Sequence, residues 1–405
     1  MGDVCIVNQG LQIAISRRKK YPNKNSKTYI TIQYINSGGE PEYIDDYSSS
    51  VCCVSEDILM TRTGNTGIVV TGVEGVFHNN FFKVNVNKKR IYPRFLVHYL
   101  GSPECQKIIL DKAGTSTIPD LNHADFYSIN IVEPGLSEQI KITEALSDAD
   151  ELIVSLEKLI AKKRDIKTGT MQQLLTGKKR LAGFGEGKGY KQTELGEIPE
   201  DWDVKTYGDI FAFYTTASNS RDDLSENGSI SYIHYGDIHT KWDITLDMNA
   251  STLPKIARHK FKGAAFIKGG DVVMADASED YEGIGKSIEI SGVGDAKAIA
   301  GLHTFLLRDN DETYVDGFRG YLHLIPAVKT SFDRLATGLK VYGLSKNSLK
   351  TVFIPVPPKK EQEKIVEILA GMTVEIDSLL YRLTKTKAIK QGMMQELLTG
   401  RTRLI

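Results

Sequence analysis

Cysteine is scarce in this 405-residue chain and unevenly placed. Its four cysteines, Cys5, Cys52, Cys53 and Cys105, all lie in the first quarter. Their spacing fits no zinc or redox motif, and their absence elsewhere argues against a disulfide framework. A cytoplasmic protein with reduced thiols is the simple expectation. No apolar run approaches the ~20 residues of a membrane span, and residues 1–10 lack the basic-then-apolar order of a signal peptide. Net charge is missing too, since 51 Lys and Arg balance 51 Asp and Glu. A bulk basic footprint for nucleic acid is therefore absent. Residues 191–356 carry 18 basic against 24 acidic side chains, a net of −6, so any such contact must rest on local patches.

Catalytic signatures are also lacking. Gly185-Glu186-Gly187-Lys188-Gly189 resembles a cofactor loop, but Lys178-Lys179-Arg180 precedes it where a buried strand is needed, so it reads as linker. Gly285-Lys286-Ser287 ends like a phosphate loop, yet Asp280 stands where the first glycine belongs. No Asn-Pro-Pro-aromatic or Asp-Pro-Pro-aromatic segment marks an amino-methyltransferase site. His303 has no second histidine at ligand spacing, and reads as structural rather than catalytic. No catalytic residue and no metal site is expected in this chain.

What the chain does have is a repeat. Residues 138–181 and 361–404 share 21 identities in 44 positions at a constant offset of 223, without a gap. Such duplication is read before anything else. Both copies are helical in pattern. Ile142, Leu146, Ala149, Ile153, Leu156 and Ile160 are spaced 4, 3, 4, 3, 4, and Ile365, Leu369, Met372, Ile376, Leu379 and Leu383 repeat that spacing. This is the a/d seam of a coiled coil. Both copies lack proline and end in Leu-Leu-Thr-Gly, with Gly177 and Gly400 as stops. A helix of about 35 residues is roughly 50 Å long. The pairing residues are expected to be Ile142, Leu146, Ile153 and Leu156 with Ile365, Leu369, Ile376 and Leu379. Lys163 and Lys167 fall on the seam near a helix end, where solvent or a partner helix is expected.

Around the repeat the chain divides into residues 1–133, a helix over 134–177, a Gly/Lys linker over 178–190, residues 191–356, and a second helix over 357–405. The two larger blocks read as mixed α/β domains of similar order. Residues 29–35 and 75–84 are β-rich, Asp57–Met60 is a short strand, and Pro93–Leu110 suits one helix with proline in its first turn. Gly2-Asp3-Val4 echoes Gly208-Asp209-Ile210, Ile32-Gln33-Tyr34 echoes Ile233-His234-Tyr235, and residues 57–60 echo 271–274. The fold class expected is α+β. Two similar target-binding domains are separated by two long antiparallel helices forming an intrachain coiled coil with pseudo-two-fold symmetry.

Basic clusters are the remaining chemistry. Arg17, Arg18, Lys19 and Lys20 precede a β-rich stretch, and Lys88, Lys89 and Arg90 sit in a turn. Arg258, Lys260 and Lys262 flank Phe261, while Lys241 adjoins Trp242. Arg62, Arg221 and Lys286 lie in Gly- or Ser-rich loops, where recognition residues tend to sit. Such groups neutralise phosphates, and arginine reads guanine edges. The plainer alternative is a solvated surface.

The paired Pro-x-x-x-Glu-Gln-x-x-Ile helix starts (Pro134, Glu138, Gln139, Ile142; Pro357, Glu361, Gln362, Ile365) and the paired Met-Gln-x-Leu-Leu-Thr-Gly ends carry a resemblance. With the leader Thr193-Glu194-Leu195-Gly196 to Trp202, a pattern without a counterpart before Gly2, the chain resembles the DNA-specificity subunit of type I restriction–modification systems. The resemblance implies that each α/β domain is a target-recognition domain reading one half of a split site in double-stranded DNA. It implies two methyltransferase subunits as partners, joined by motor–nuclease subunits. S-adenosylmethionine and ATP with Mg would bind those partners, none binding this chain. Leu174, Leu175, Leu397 and Leu398 are expected to receive methyltransferase helices. The alternative is a coiled-coil scaffold whose two α/β domains bind other ligands and not DNA.

Overall fold

The computed structural model describes residues 1–38, 40–114 and 117–404. It divides into two compact units, residues 1–160 with 378–405, and residues 161–377. The division falls inside both long helices, Leu136–Leu175 (the central helix) and Lys359–Leu397 (the C-terminal helix). Each unit therefore owns one α/β domain, the first half of one helix and the last half of the other.

In the first unit a sheet runs in the order Cys5–Gln9, Phe81–Val86, Ile58–Thr61, Val69–Val70, all antiparallel. A second sheet joins Tyr43–Ile44, Lys27–Ile30, Gly75–Phe77 and Cys52–Cys53, with Lys27–Ile30 parallel to Gly75–Phe77. Ile58–Thr61 is buried at every position because both faces are covered, which explains its unbroken apolar run. The core gathers Phe82, Phe95, Leu96, Leu100, Ile109, Leu121 and Phe126 around Ile142 and Leu146 of the central helix and Leu397 and Leu398 of the C-terminal helix.

The second unit repeats this plan. Its sheets run Phe211–Tyr214, Thr304–Asp309, Val272–Ala275, Ser287–Ser291, Thr245–Asp247, and Leu224–Ser225, Lys255–Ile256, Ile230–Ile233, Ala298–Ala300. Register makes the equivalence exact to the residue. Cys5 faces Val86 as Phe211 faces Asp309, and Ile30 faces Phe77 as Ile233 faces Ala300. From the strand at Gly75 onwards the offset is 223, so differences in loop length fall in the first part of each domain. Its core collects Leu307, Phe318, Leu322 and Phe332 around Ile365 and Leu369, with Leu174 and Leu175 from the end of the central helix.

Several sequence expectations change here. Ile32-Gln33-Tyr34 is not strand. Thr31 accepts the Tyr34 N–H and starts a helix over Ile32–Ser37, so Ile30, not Ile32, matches Ile233. Aromatic and β-branched content misleads there, because a local cap overrides propensity. The expected helix over Pro93–Leu110 is two helices, Pro93–Leu100 and Pro103–Ala113. Ser102 accepts the Cys105 N–H, and Pro103 stands at the start of the second. The glycine stops hold: Gly177 has φ 68° and Gly400 φ 73°, the left-handed conformation that closes a helix.

Candidate DNA-reading surfaces and the helix junctions

Each domain is tied to its helix by one glutamine. Gln139 accepts the Tyr92 N–H at 2.8 Å and donates to the carbonyls of Arg90 and Pro134 at 2.9 and 2.8 Å. Gln362 accepts from Val315 at 2.9 Å and donates to Thr313 and Pro357 at 3.2 and 2.8 Å. All three partners differ by 223. Both glutamines are fully buried, so these bonds satisfy backbone groups that water cannot reach.

The neighbouring glutamate ties each helix start to the tail of the other helix. Arg403 donates to Glu138 through Nε at 2.8 Å and Nη2 at 2.7 Å. Arg180 donates to Glu361 through the same atoms at 2.6 and 2.8 Å. The second clasp is richer: Trp202 Nε1 also donates to Glu361 at 2.8 Å, and Arg180 holds Asp201. The Arg180 guanidinium holds the Asp201 carboxyl down to about 2. Residues 178–202 are thus pinned at Arg180 and Trp202, with positive φ at Gly183, Gly185 and Gly187 making the turns.

Polar contacts fix the antiparallel direction within each unit. Lys390 pairs with Asp150 and Lys387 with Glu157 in the first, while Lys163 pairs with Glu375 and Lys167 donates to Thr373 in the second. Lys163 and Lys167 thus bond to the chain's own second helix. Ile142, Leu146, Leu156, Ile365, Leu369 and Ile376 are buried, with Ile153 and Leu379 half-buried.

The basic candidates part into struts and open groups. Arg18 binds Glu42 and the Ile13 carbonyl, and Arg62 binds Asp120 and the Leu121 carbonyl. Arg90 is spent on Glu133 and the Asp3 carbonyl. Lys19 pairs with Asp45, while Arg17, Lys20, Lys88 and Lys89 are exposed. In the second domain Arg258 and Lys262 are exposed, and four other candidates gather around the short helix Tyr235–Thr240. Arg221 Nη2 donates to Asp237 Oδ1 at 2.8 Å, and Lys241 Nζ lies 3.2 Å from the same oxygen. Lys286 donates to the His239 carbonyl at 3.2 Å, and Lys260 holds Asp223, beside Arg221, at 2.8 Å. His234 Nδ1 accepts the Gly236 N–H at 3.0 Å, and burial, aided by Arg221, lowers the pKa of its ring. Tyr235 packs against His234 and His303.

A family profile described as the type I restriction modification DNA specificity domain matches residues 1–167 and 199–380. The chain belongs to this family. The type I restriction enzyme MjaVIII specificity subunit of Methanocaldococcus jannaschii is 26% identical over 383 residues, covering 93% of this chain and 86% of that protein. The putative MjaX specificity subunit of the same organism is 25% identical over 328 residues, covering 80% and 72%. Among solved structures, the type I S subunit from M. genitalium aligns with a TM-score of 0.54 at 15% identity, covering 98% of this chain and 94% of that one. The HsdS subunit from Thermoanaerobacter tengcongensis aligns at 0.51 and 17% identity, covering 99% and 96%. At such identities the structural likeness speaks for the fold.

In this specificity-family chain, one expectation is corrected outright. Leu174, Leu175, Leu397 and Leu398 do not stand open to a partner. All four are buried in the domain cores, because each helix end tucks under the other domain's helix start. The helix residues that remain exposed are others, among them Ile166 and Ile389, which also differ by 223. Reading the sequence also missed Asp237 and His234. The Asp237–Lys241 spacing of four was the available signal.

Proposed function

We propose that this chain is the non-catalytic, DNA-reading subunit of a type I restriction–modification complex, with one half-site read by each α/β domain. The observation that carries this is the repeated domain plan, with the glutamine junction and Glu–Arg clasp recurring at one offset, in a chain of the DNA-specificity family. Two equal readers suit a split target. The pseudo-two-fold repeat suits two equal methyltransferase partners. Those partners would supply S-adenosylmethionine chemistry, and motor–nuclease subunits the ATP- and Mg-dependent cleavage. Among the described residues no helix is long and apolar enough to cross a membrane.

Exchanging residues 1–133 for the corresponding domain of another specificity subunit tests the reading. Methylome sequencing of a host carrying the complex is expected to show one half of the methylated motif changed and the other kept. An unchanged motif overturns split recognition. Docking is assigned to the exposed helix faces rather than the buried leucines. Ile166→Asp with Ile389→Asp is expected to abolish co-purification with the methyltransferase, and an intact complex would remove that assignment.

A further inference from the structure

Arg221 stands apart from the other bonded arginines of the reading domains. Arg18, Arg62 and Arg308 have side chains 18%, 15% and 14% exposed and are spent on internal partners, and Arg90, 43% exposed, pairs with a Glu133 that is itself 31% exposed. The Arg221 side chain is 54% exposed, yet its Nη2 is held by a carboxylate only 2% exposed. Among the described residues, its Nε and Nη1 have no partner. The segment that carries it is itself fixed. The Tyr232 hydroxyl donates to the Asn219 carbonyl at 2.6 Å, and Lys260 clamps Asp223 at 2.8 Å.

Asp237 is the second, independent observation. Its Oδ2 is buried and has no hydrogen-bond partner among the described residues. Leaving a buried carboxylate oxygen unmatched is costly, and such a group calls for an explanation. Stability alone supplies a poor one, because the half-exposed Lys241 four residues on adds little and an aliphatic side chain would fill the place without that cost. Aiming a guanidinium supplies a better one. A free surface arginine loses rotamer freedom when it binds, whereas one already held in place loses less.

We propose that Arg221 is a specificity-determining residue that reads a guanine in the major groove, and that Asp237 is the positioning residue that aims it. This rests on the DNA-reading function above. Guanine offers O6 and N7, two neutral acceptors that match an arginine fork. A phosphate is the poorer partner here, because the Asp237 carboxylate beside the guanidinium repels an anion. A plain phosphate contact needs only a point charge, such as a lysine.

The test is selection from a random-duplex library by the full chain co-expressed with its methyltransferase partner. The wild type is expected to select two half-sites. Arg221→Lys and Arg221→Ala are expected to lose preference at one G·C position of one half-site by about five- to a hundredfold. The other half-site, kept, shows that the fold is intact. Asp237→Asn is expected to weaken the same position by a smaller factor, and to add nothing on top of Arg221→Ala. A purely structural Asp237 would not be silenced in that way. The proposal is overturned if neither half-site changes. It is also overturned if Arg221→Ala weakens all duplexes alike with a shallower salt dependence, the mark of a phosphate contact. Loss of both half-sites in Arg221→Lys would assign the residue to folding instead. A wild type that selects no half-site would overturn the DNA-reading function itself.

Discussion

At matching positions the two units solve the same packing problem with opposite chemistry. The first places Leu96 and Leu100, both fully buried, where the second places Arg319 and His323. Val86 in the first is matched by Asp309 in the second. Arg319 there donates to Glu289 at 2.9 Å, and Asp309 accepts the backbone N–H groups of Thr313 and Tyr314. The strands and their register survive this exchange of hydrocarbon for ions. The junction keeps its shared parts: Glu-Gln at each helix start and the arginine that clasps the glutamate are identical, with the same glutamine bonds and the same two-atom arginine clasp. The repeated element is therefore the mount, and the interior behind each reader is free to differ.

The chain carries probes that separate its units. Both tryptophans, Trp202 and Trp242, lie in the second unit, and all four cysteines lie in the first. Cys5, Cys53 and Cys105 are buried, and burial pushes their thiols up to about 11, 11 and 12. Tryptophan emission thus follows one unit, and thiol labelling follows the other.

The largest effect is expected at the clasps, and it should be unequal. Glu361→Ala leaves Arg180, whose side chain is only 11% exposed, with Asp201 as its remaining partner, and strands the buried Trp202 indole N–H. Losing the hydrogen bonds to a charged group and leaving a buried N–H unmet costs about 1–3 kcal/mol. Glu138→Ala frees Arg403, whose side chain is 59% exposed and can return to water. Its cost should be clearly smaller, and visible in thiol labelling rather than in tryptophan emission during urea unfolding. Equal costs would show that residues 178–202 add nothing to the second clasp.

The clasps also show what could be read in advance. The helices were legible because a 4-3 apolar spacing and a repeat at fixed offset need no three-dimensional information. Periodicity says that Leu174 and Leu397 are apolar on one face, but not what covers that face, and so they were misread as docking residues. The basic clusters show a different limit. Arg18, Arg62 and Arg90 find Glu42, Asp120 and Glu133, which lie 24, 58 and 43 residues away. Folding alone brings such partners together, so open cations and internal struts look alike in a sequence. Asp237 shows its i,i+4 spacing to Lys241 in the sequence, but its burial beside Arg221 is visible only in the fold.

A smaller effect separates the two interiors by pH. His323 is buried against the Ser287 hydroxyl at 3.1 Å, and burial pushes its imidazole down to about 3 from an ordinary value near 6.5. As pH falls, the unfolded chain takes up the proton before the folded chain does. The contribution of His323 is therefore complete above about 6.5 and is lost progressively as pH falls towards 3. At pH 5 the loss is about 2 kcal/mol, from 1.36 kcal/mol per pH unit. Replacing it by the residue the first unit uses, as His323→Leu, should flatten the pH 7 to pH 5 slope of the tryptophan-monitored transition by that amount. The slope followed by thiol labelling should not move. Ser287 loses a partner in the variant, at a cost of about 1 kcal/mol, but this offset is the same at both pH values and cancels in the slope. An unchanged slope would place the acid sensitivity of the second unit in a group other than His323.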